Sequence, residues 1–207
     1  MLRVGLTGGL ASGKSFVGEA LANLGCHLVE ADQLGHEVLM PGAEAFGPVV
    51  REFGPGVLAP DGTVDRSRLA AEVFDRPERL AKLNSLVHPP VIRREEKILR
   101  ELEASDPGGI AVMEAAILIE TGSYRRFDRI ILVVTTREQQ VERAVGRGLS
   151  REEALARIDR QMPLEEKRKY ADYVIDTSGE KEDTLRQVRE VYRALGGIPS
   201  PGRSVSQ

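Results

Sequence analysis

A glycine-rich stretch near the start of the chain constrains the fold more than any other feature of this sequence. Residues 8–15 read Gly-Gly-Leu-Ala-Ser-Gly-Lys-Ser and match the pattern G-x-x-x-x-G-K-[ST]. The apolar run Leu2–Leu6 predicts a buried strand before this stretch, and the apolar spacing in Lys14–Leu24 predicts a helix after it. Because strand, glycine loop and helix follow in this order, we interpret 8–15 as a phosphate cradle rather than an ordinary turn.

The residues of this phosphate loop have distinct expected roles. Glycines allow successive backbone amides to converge on phosphate oxygens, and the following helix directs its positive end to the same place. Lys14 would reach the β- and γ-phosphates, and the hydroxyl of Ser15 would bind Mg²⁺. The predicted nucleotide-binding residues are Gly8, Gly9, Ala11, Ser12, Gly13, Lys14, Ser15 and Phe16. The sequence therefore predicts binding of a nucleoside triphosphate together with Mg²⁺.

Short apolar runs separated by helical patterns predict an α/β fold with a central parallel sheet of about five strands. The predicted strands are Leu2–Leu6, Cys26–Glu30, Ile110–Met113, Ile130–Val134 and Ala171–Ile175. Charged amphipathic stretches between the second and third strands, broken by Pro and Gly, predict a mostly helical insertion. In that insertion, a long helix is expected to begin after His88-Pro89-Pro90. The expected parts are a nucleotide-binding core (1–34, 106–136 and 162–195), the insertion (35–105), a helical lid (137–161) and a flexible tail (196–207).

Composition excludes several classes of protein. A length of 207 residues with 41% hydrophobic content fits one compact domain with small insertions. A formal net charge of −3 argues against nucleic-acid binding, which usually needs a basic excess. Cys26 is the single cysteine, so no internal disulfide forms, and the apolar run Ile130–Val134 is too short to span a membrane. We expect a cytoplasmic protein that is a monomer or weak homo-oligomer, with no nucleic-acid or membrane partner.

Asp32 is the candidate for the group that activates a phosphoryl acceptor. It is predicted to end the second strand, and the carboxyl ends of parallel strands line the ligand crevice. A kinase holds an acceptor hydroxyl in line with the γ-phosphate, often with an aspartate that takes its proton. An aspartate at a strand end is also a frequent N-cap of the next helix, and position alone leaves both interpretations open.

Two arginines are candidates for a lid over the triphosphate. Arg143 and Arg147 are four residues apart, which predicts that they share one helix face. Such cations would neutralise the migrating phosphoryl group while the lid excludes water. Because Glu138 and Glu142 are interleaved with them, a solvated, salt-bridged surface is the alternative. The next helix is expected to begin with a capping box at Ser150-Arg151-Glu152-Glu153.

Two further polar residues stand in apolar or proline-rich surroundings. Glu114 interrupts the apolar run Ile110–Ile119 and would either hold a water on Mg²⁺ or emerge at the strand end, the second interpretation being slightly preferred. His88 would be a packing or capping residue, or a polar contact in an acceptor pocket. No second His or Cys lies at metal-ligand spacing, so zinc is not expected.

Six segments in order resemble the dephospho-coenzyme A kinase family, from about Leu2 to Gly179. The segment "GLTGGLASGKS" resembles the family's phosphate loop, and "VEADQLGHEV" resembles its strand-end Asp-Ala-Asp segment, with Asp32 at the acceptor-activating position. The segment "LNSLVHPPV" resembles its Leu-Asn-x-x-x-His-Pro element, and "AAILIE" falls where the family has a Pro-Leu-Leu-x-Glu-like stretch. The segments "ERAVGRGLSREEALARIDRQMP" and "EKRKYADYVIDTSG" resemble its lid and final strand.

The resemblance implies a P-loop kinase that transfers the γ-phosphate of ATP to the ribose 3′-hydroxyl of dephospho-coenzyme A. The products would be coenzyme A and ADP, in the last step of coenzyme A synthesis. Asp32 would orient and deprotonate the hydroxyl, His88 would lie in the acceptor-binding element, and Lys14, Arg143 and Arg147 would neutralise the phosphoryl group. The alternatives are a kinase for another small acceptor, such as a nucleoside monophosphate, and a nucleotide-dependent binding switch. A GTPase is disfavoured because the guanine-reading Asn-Lys-x-Asp is absent.

The sequence departs from the family pattern at four positions. Ala11 replaces a common glycine, Phe16 replaces a frequent threonine, and Glu30 replaces the first aspartate of Asp-Ala-Asp. Ala116 replaces the usual proline, which leaves open whether Glu114 or Glu120 assists Mg²⁺.

Overall fold

The fold is built on one parallel sheet. The computed structural model of the protein describes residues 1–74 and 76–196. Its strands are β1 (Leu2–Gly8), β2 (His27–Glu30), β3 (Ile110–Glu114), β4 (Arg129–Val134) and β5 (Tyr173–Asp176). All pairings are parallel, and the order across the sheet is β2-β3-β1-β4-β5. The predicted α/β P-loop fold with about five parallel strands is confirmed, and each strand end differs from its predicted position by at most two residues.

Helices connect the strands and form most of the remaining regular structure. In the described residues they are α1 (Lys14–Asn23), α2 (Ala31–Glu37), α3 (Phe46–Phe53), α4 (Arg66–Val73), α5 (Pro77–Ser105), α6 (Arg137–Val145), α7 (Arg151–Arg160), α8 (Leu164–Lys167) and α9 (Lys181–Ala194). Single 3₁₀ turns lie at Pro55–Val57, Ser123–Arg126 and Arg168–Tyr170. The capping box predicted at Ser150 and Glu153 is confirmed at the start of α7. In the described residues, no helix has the length and apolar character needed to cross a membrane.

The chain divides into two compact units. The sheet unit comprises Met1–Glu30 and the described residues from Leu102 onward, and the helical unit comprises Ala31–Glu101. The helical unit covers most of the predicted insertion, 35–105, and the predicted lid, 137–161, belongs to the sheet unit. Apart from Gly196, the predicted tail, 196–207, lies outside the described residues.

The core of the sheet unit explains why its strands read as continuous apolar runs. Every residue of β3 is buried, and so are the last five residues of β4, because both faces of a parallel sheet are covered. One face packs against two helices, with Leu21 of α1 and Val188 of α9 in the same apolar cluster as Val4 and Ile131. This packing fixes α1 against the sheet directly after the phosphate loop.

The helical unit has its own apolar core. Val38, Val49 and Val57 are buried in it, and side chains from α4 and α5 pack around them. The helix expected to begin after His88-Pro89-Pro90 instead runs through both prolines, from Pro77 to Ser105, so that prediction was wrong. Proline inside a helix removes a backbone donor. The side chains on either side of the two prolines join the apolar core, and this packing holds the helix together at that point.

The single cysteine provides a test of how tightly this core is closed. Cys26 is buried beside β2, and burial raises the pKa of its thiol to about 12. Only thiolate reacts rapidly with alkylating reagents, so we expect alkylation at pH 8 to be slower than that of a free cysteine by about a thousandfold or more. The rate is measured by mass spectrometry on the native protein, with the chain in denaturant as control. Equal rates in the two conditions would contradict a closed core.

Candidate active site

The phosphate loop joins the end of β1 at Gly8 to the start of α1 at Lys14. Gly13 precedes the helix with φ of +87°, a left-handed conformation that glycine adopts without steric penalty. Ala11 has φ of +52° and is the one non-glycine residue with positive φ in the described part of the chain. The backbone N–H groups of Ala11 and Gly13 have no hydrogen-bond acceptor among the described residues. They are therefore available to phosphate oxygens.

A carboxylate from the neighbouring strand organises the start of α1. Glu114 ends β3 and is 6% exposed. Its Oε1 accepts hydrogen bonds from Lys14 Nζ at 2.6 Å and from Ser15 Oγ at 2.9 Å. The structure thus brings Lys14 and Ser15 of the loop together with Glu114, one of the two glutamates considered from the sequence. Glu114 does lie at the end of its strand, as the slightly preferred interpretation had it, and there it bonds to both loop residues; a role in holding a water on Mg²⁺ stays a prediction.

The far side of the loop is fixed by Thr177, which directly follows β5. Its hydroxyl donates to the carbonyl of Ser12 at 2.7 Å. Arg143 of α6 donates to the hydroxyl of Thr177 at 3.0 Å and to its carbonyl at 2.7 Å. Arg143 is therefore held beside the loop through Thr177. The Oγ of Ser12 is buried and has no partner among the described residues.

Two glutamines bond to Leu10 at the tip of the loop. Gln161 Oε1 accepts from the Leu10 N–H at 2.7 Å, and Gln140 Nε2 donates to the Leu10 carbonyl at 2.8 Å. The side chain of Ala11 lies in an apolar cluster with Val141 and Ala144 of α6 and with residues of α7. The loop and the predicted lid segment, 137–161, are packed together in this structure.

Arg147 does not lie on the helix face of Arg143. Helix α6 ends at Val145, and Arg147 is exposed in the turn that follows. Glycines at 146 and 148 explain the early end, since glycine disfavours helix and Gly148 adopts φ of +94°. The prediction of a shared helix face was wrong.

Asp32 also departs from its predicted position. Strand β2 ends at Glu30, and Asp32 lies exposed in the first turn of α2. It is neither a strand-end residue nor the residue before the helix. Leu34 and Val38 are buried one turn apart, and this favours a helix directly after the strand. A carboxylate in the first turn is stabilised by the helix dipole.

The electrostatics around Asp32 involve His36, one turn further along α2. Removal of the His36 ring from water lowers its pKa, and the charge of Arg66 lowers it further. The carboxylate of Asp32 acts in the opposite direction. Both Asp32 and His36 belong to the helical unit, as does His88.

His88 lies inside α5, directly before its two prolines, and is half-buried. Burial lowers the pKa of its ring below the usual value. The neutral ring is therefore the favoured form at neutral pH, and it offers one donor and one acceptor nitrogen.

Phe16 faces away from the loop. Its side chain lines a groove of about 360 Å³ between α1 and α9, together with residues such as Leu185 and Val188. A contact of Phe16 with a bound nucleotide would therefore be made by its backbone.

A buried lysine and its partner were not expected from the sequence. Lys167 has a fully buried side chain, and its Nζ donates to Glu120 Oε1 at 2.8 Å and to the Ala116 carbonyl at 3.1 Å. Glu120 also accepts from the Met162 N–H at 3.3 Å. Glu120 is therefore engaged in this pair, whereas Glu114 bonds to the loop.

The residues beside the loop fit Mg²⁺. Ser15 and Glu114 supply hard oxygen donors next to Lys14, and Mg²⁺ is usually bound by one or two carboxylates together with substrate phosphates. The described residues contain no cluster of three or more His, Cys, Asp or Glu able to hold a metal alone. This donor set suits a cation that arrives with a nucleotide.

Several functional candidates carried no signal in the sequence. Gln140 and Gln161 are ordinary polar residues in helical patterns, and their partner, Leu10, lies more than a hundred residues earlier. Thr177 offered a weak signal because it lies two residues after the predicted strand Ala171–Ile175.

Comparisons with known proteins agree on one family. The sequence profile described as dephospho-CoA kinase matches residues 2–183. A dephospho-CoA kinase from Aquifex aeolicus is 41% identical over 199 residues, covering 96% of this chain and 100% of that protein. One from Carboxydothermus hydrogenoformans is 44% identical, covering 92% of each.

Two solved structures are similar to this chain over most of its length. A Thermus thermophilus protein superposes with a TM-score of 0.81 at 35% identity, covering 93% of this chain and 96% of that chain. A dephospho-CoA kinase from Campylobacter jejuni superposes with a TM-score of 0.70 at 26% identity, covering 95% and 98%.

Replacement of Glu114 tests the charge arrangement at the loop. Glu114→Gln leaves Lys14 without its ion-pair partner in a site where both side chains are mostly buried. We expect the free energy of unfolding to fall by about 2–4 kcal/mol, measured by urea denaturation. Glu19→Gln, at an exposed position of α1, is the matched control. Equal unfolding free energies for the two variants would contradict the assigned role.

The lowered pKa of His88 predicts a pH dependence of stability. The unfolded chain binds a proton at His88 near pH 6.5, whereas the folded chain binds it only at lower pH. Stability is therefore lost as the pH falls from about 6.5 through the folded-state value. In His88→Gln this loss is absent, so the difference in unfolding free energy between pH 7.5 and pH 5 is smaller than in the wild type. Identical pH profiles would contradict the prediction.

Proposed function

The chain belongs to the dephospho-CoA kinase family, so it is a kinase that phosphorylates dephospho-coenzyme A with ATP, and we propose how its own residues carry out this reaction. The γ-phosphoryl group passes to the ribose 3′-hydroxyl. A bond forms between the 3′-oxygen and the γ-phosphorus while the bond to the β,γ-bridging oxygen breaks. The products are coenzyme A and ADP, and the hydroxyl proton leaves to a base. The observation that carries the proposal is the group formed by Lys14, Ser15 and Glu114 at the phosphate loop.

The phosphate loop binds the triphosphate in this proposal. Free amides at Ala11 and Gly13 supply donors to the phosphate oxygens, and the start of α1 directs its positive end toward them. Lys14 neutralises charge on the β- and γ-phosphates. The remaining predicted contacts, from Gly8, Gly9, Ser12 and the backbone of Phe16, complete the cradle.

The arginines neutralise the migrating phosphoryl group. Arg143 has the better support, because its bonds to Thr177 hold it beside the loop carbonyl of Ser12. Arg147 is exposed in the turn after α6, and its contact with the triphosphate is proposed from the sequence pattern. In this proposal the segment 137–161 is the lid that excludes water from the transferring group.

Asp32 acts on the acceptor. Its exposed carboxylate in the first turn of α2 orients the 3′-hydroxyl and takes its proton as the new bond forms. His88, with a neutral ring, contributes a polar contact to the acceptor in the insertion, 35–105.

The proposed nucleotide-binding core consists of residues 1–34, 106–136 and 162–195.

Mg²⁺ would be held by the Ser15 hydroxyl and the Glu114 carboxylate. The bound ion would neutralise charge on the β- and γ-phosphate oxygens. Glu120 has no part in this because it is paired with Lys167. We further propose a cytoplasmic location, where ATP is abundant, and a monomer or weak homo-oligomer without nucleic-acid or membrane partners.

Acceptor-dependent ADP release tests the proposed function. With ATP and Mg²⁺ present, we expect dephospho-coenzyme A to stimulate ADP release by about a hundredfold or more over the hydrolysis background, because the acceptor hydroxyl replaces water. AMP, the acceptor of a nucleoside-monophosphate kinase, serves as the comparison. Stimulation by AMP alone would favour the alternative kinase, and slow ADP release with either acceptor would favour a binding switch.

Replacement of Asp32 separates its catalytic role from a structural one. Asp32→Asn keeps the shape of the side chain but removes the base, so kcat should fall by about a hundredfold or more while ADP affinity changes less than twofold. Asp61→Asn makes the same chemical change in an exposed turn of the same unit and is the control. Parallel loss of kcat, nucleotide affinity and melting temperature in Asp32→Asn would point to a structural role instead.

A further inference from the structure

Leu10 has both of its backbone polar groups bonded to glutamine side chains. Its N–H donates to Gln161 Oε1 at 2.7 Å, and its carbonyl accepts from Gln140 Nε2 at 2.8 Å. Gln140 lies in α6, and Gln161 directly follows α7. The phosphate loop is thus bonded to both ends of the predicted lid segment.

These two bonds fix two consecutive peptide planes. The N–H of Leu10 belongs to the peptide joining it to Gly9, and its carbonyl belongs to the peptide joining it to Ala11. In a trans peptide the carbonyl and the N–H point in opposite directions. Because Gln140 holds the Leu10 carbonyl on one side, the N–H of Ala11 is directed to the other side, where it has no acceptor among the described residues.

The surroundings leave the Gln140 amide little freedom. Gln140 is 4% exposed, and its Nε2 lies so close to Gly9 that a Cβ on that residue would collide with it. The methyl group of Ala11 is buried against Val141 and Ala144. The amide and the apolar contact together hold Ala11 in its left-handed conformation, which alanine otherwise disfavours.

We propose that Gln140 and Gln161 are positioning residues for the phosphoryl donor. They orient the peptides on either side of Leu10 so that the Ala11 N–H faces the nucleotide phosphates. They act through the loop backbone and do not themselves touch the phosphates. This inference rests on the proposed binding of ATP at the loop.

Substitution by methionine, which is similar in length but lacks the amide, tests the proposal. Gln140→Met and Gln161→Met should each weaken ADP binding by about five- to tenfold, as expected for loss of one hydrogen bond that orients a binding group. The double variant should weaken it by less than the product of the two effects, because both act on the same pair of peptides. Affinity is measured by titration calorimetry without acceptor. The KM for dephospho-coenzyme A should change less than twofold.

Gln139→Met is the matched control. Gln139 lies on the same helix, but its amide bonds to Thr135 and to the Ser178 carbonyl rather than to the loop. We expect its ADP affinity to remain within twofold of the wild type. If Gln139→Met lowered ADP affinity and melting temperature as much as Gln140→Met does, the proposal would be overturned. The glutamines would then only stabilise the packing of the helix against the sheet.

Amide exchange of Leu10, followed by NMR, provides an independent readout. Hydrogen exchange of the Leu10 amide should be faster in Gln161→Met, because its acceptor is lost. In Gln161→Glu, which keeps an oxygen acceptor, the rate should be as slow as in the wild type. Faster Leu10 exchange with unchanged ADP affinity would overturn the proposal. Absence of dephospho-coenzyme A turnover in the wild type would instead contradict the proposed function, since the ADP titration requires no acceptor.

Discussion

Backbone that leaves regular structure in a partly buried place needs other partners for its polar groups, and in this protein that constraint falls on residues 9–13. Side chains from three later segments meet it. Gln140 and Gln161 bond to Leu10, and Thr177 bonds to the carbonyl of Ser12. The amides of Ala11 and Gly13, which have no acceptor among the described residues, are left for phosphate. The shape of the loop therefore depends on the distant segments that pack around it as well as on its own glycines.

The charged side chains at the phosphate loop are also positioned by segments that are distant in the sequence. Glu114 ends the strand next to β1 in the sheet, and its position brings one carboxylate oxygen to both Lys14 and Ser15. On the other side of the loop, Arg143 is oriented by two bonds to Thr177. Positive groups thus flank a loop rich in backbone donors. This combination suits a ligand with several adjacent negative charges.

Local patterns in the sequence predicted the sheet and the phosphate loop, because apolar runs and glycine spacing depend on neighbouring residues alone. Predictions that needed element boundaries were less successful. Asp32 lies in a helix rather than at a strand end, because burial of Leu34 and Val38 favours a helix there. Arg147 does not share a helix face with Arg143, because α6 ends at Val145. The bonds of the glutamines to Leu10 could not be predicted, since a polar residue in a helical pattern carries no mark of a partner more than a hundred positions away.

The central place of β1 in the sheet has a consequence for how the chain acquires its structure. Its two neighbours are β3 and β4, so Arg3 is in register with Ala111 and Val4 with Arg129. Pairings between residues so far apart are slow to form, because a long loop must close before any contact compensates for the lost entropy. During synthesis on the ribosome, the first strand and the loop after it must wait for most of the chain to emerge. The nucleotide site, whose loop precedes β3, β4 and β5 in the sequence, is among the last parts of the sheet unit that can be completed.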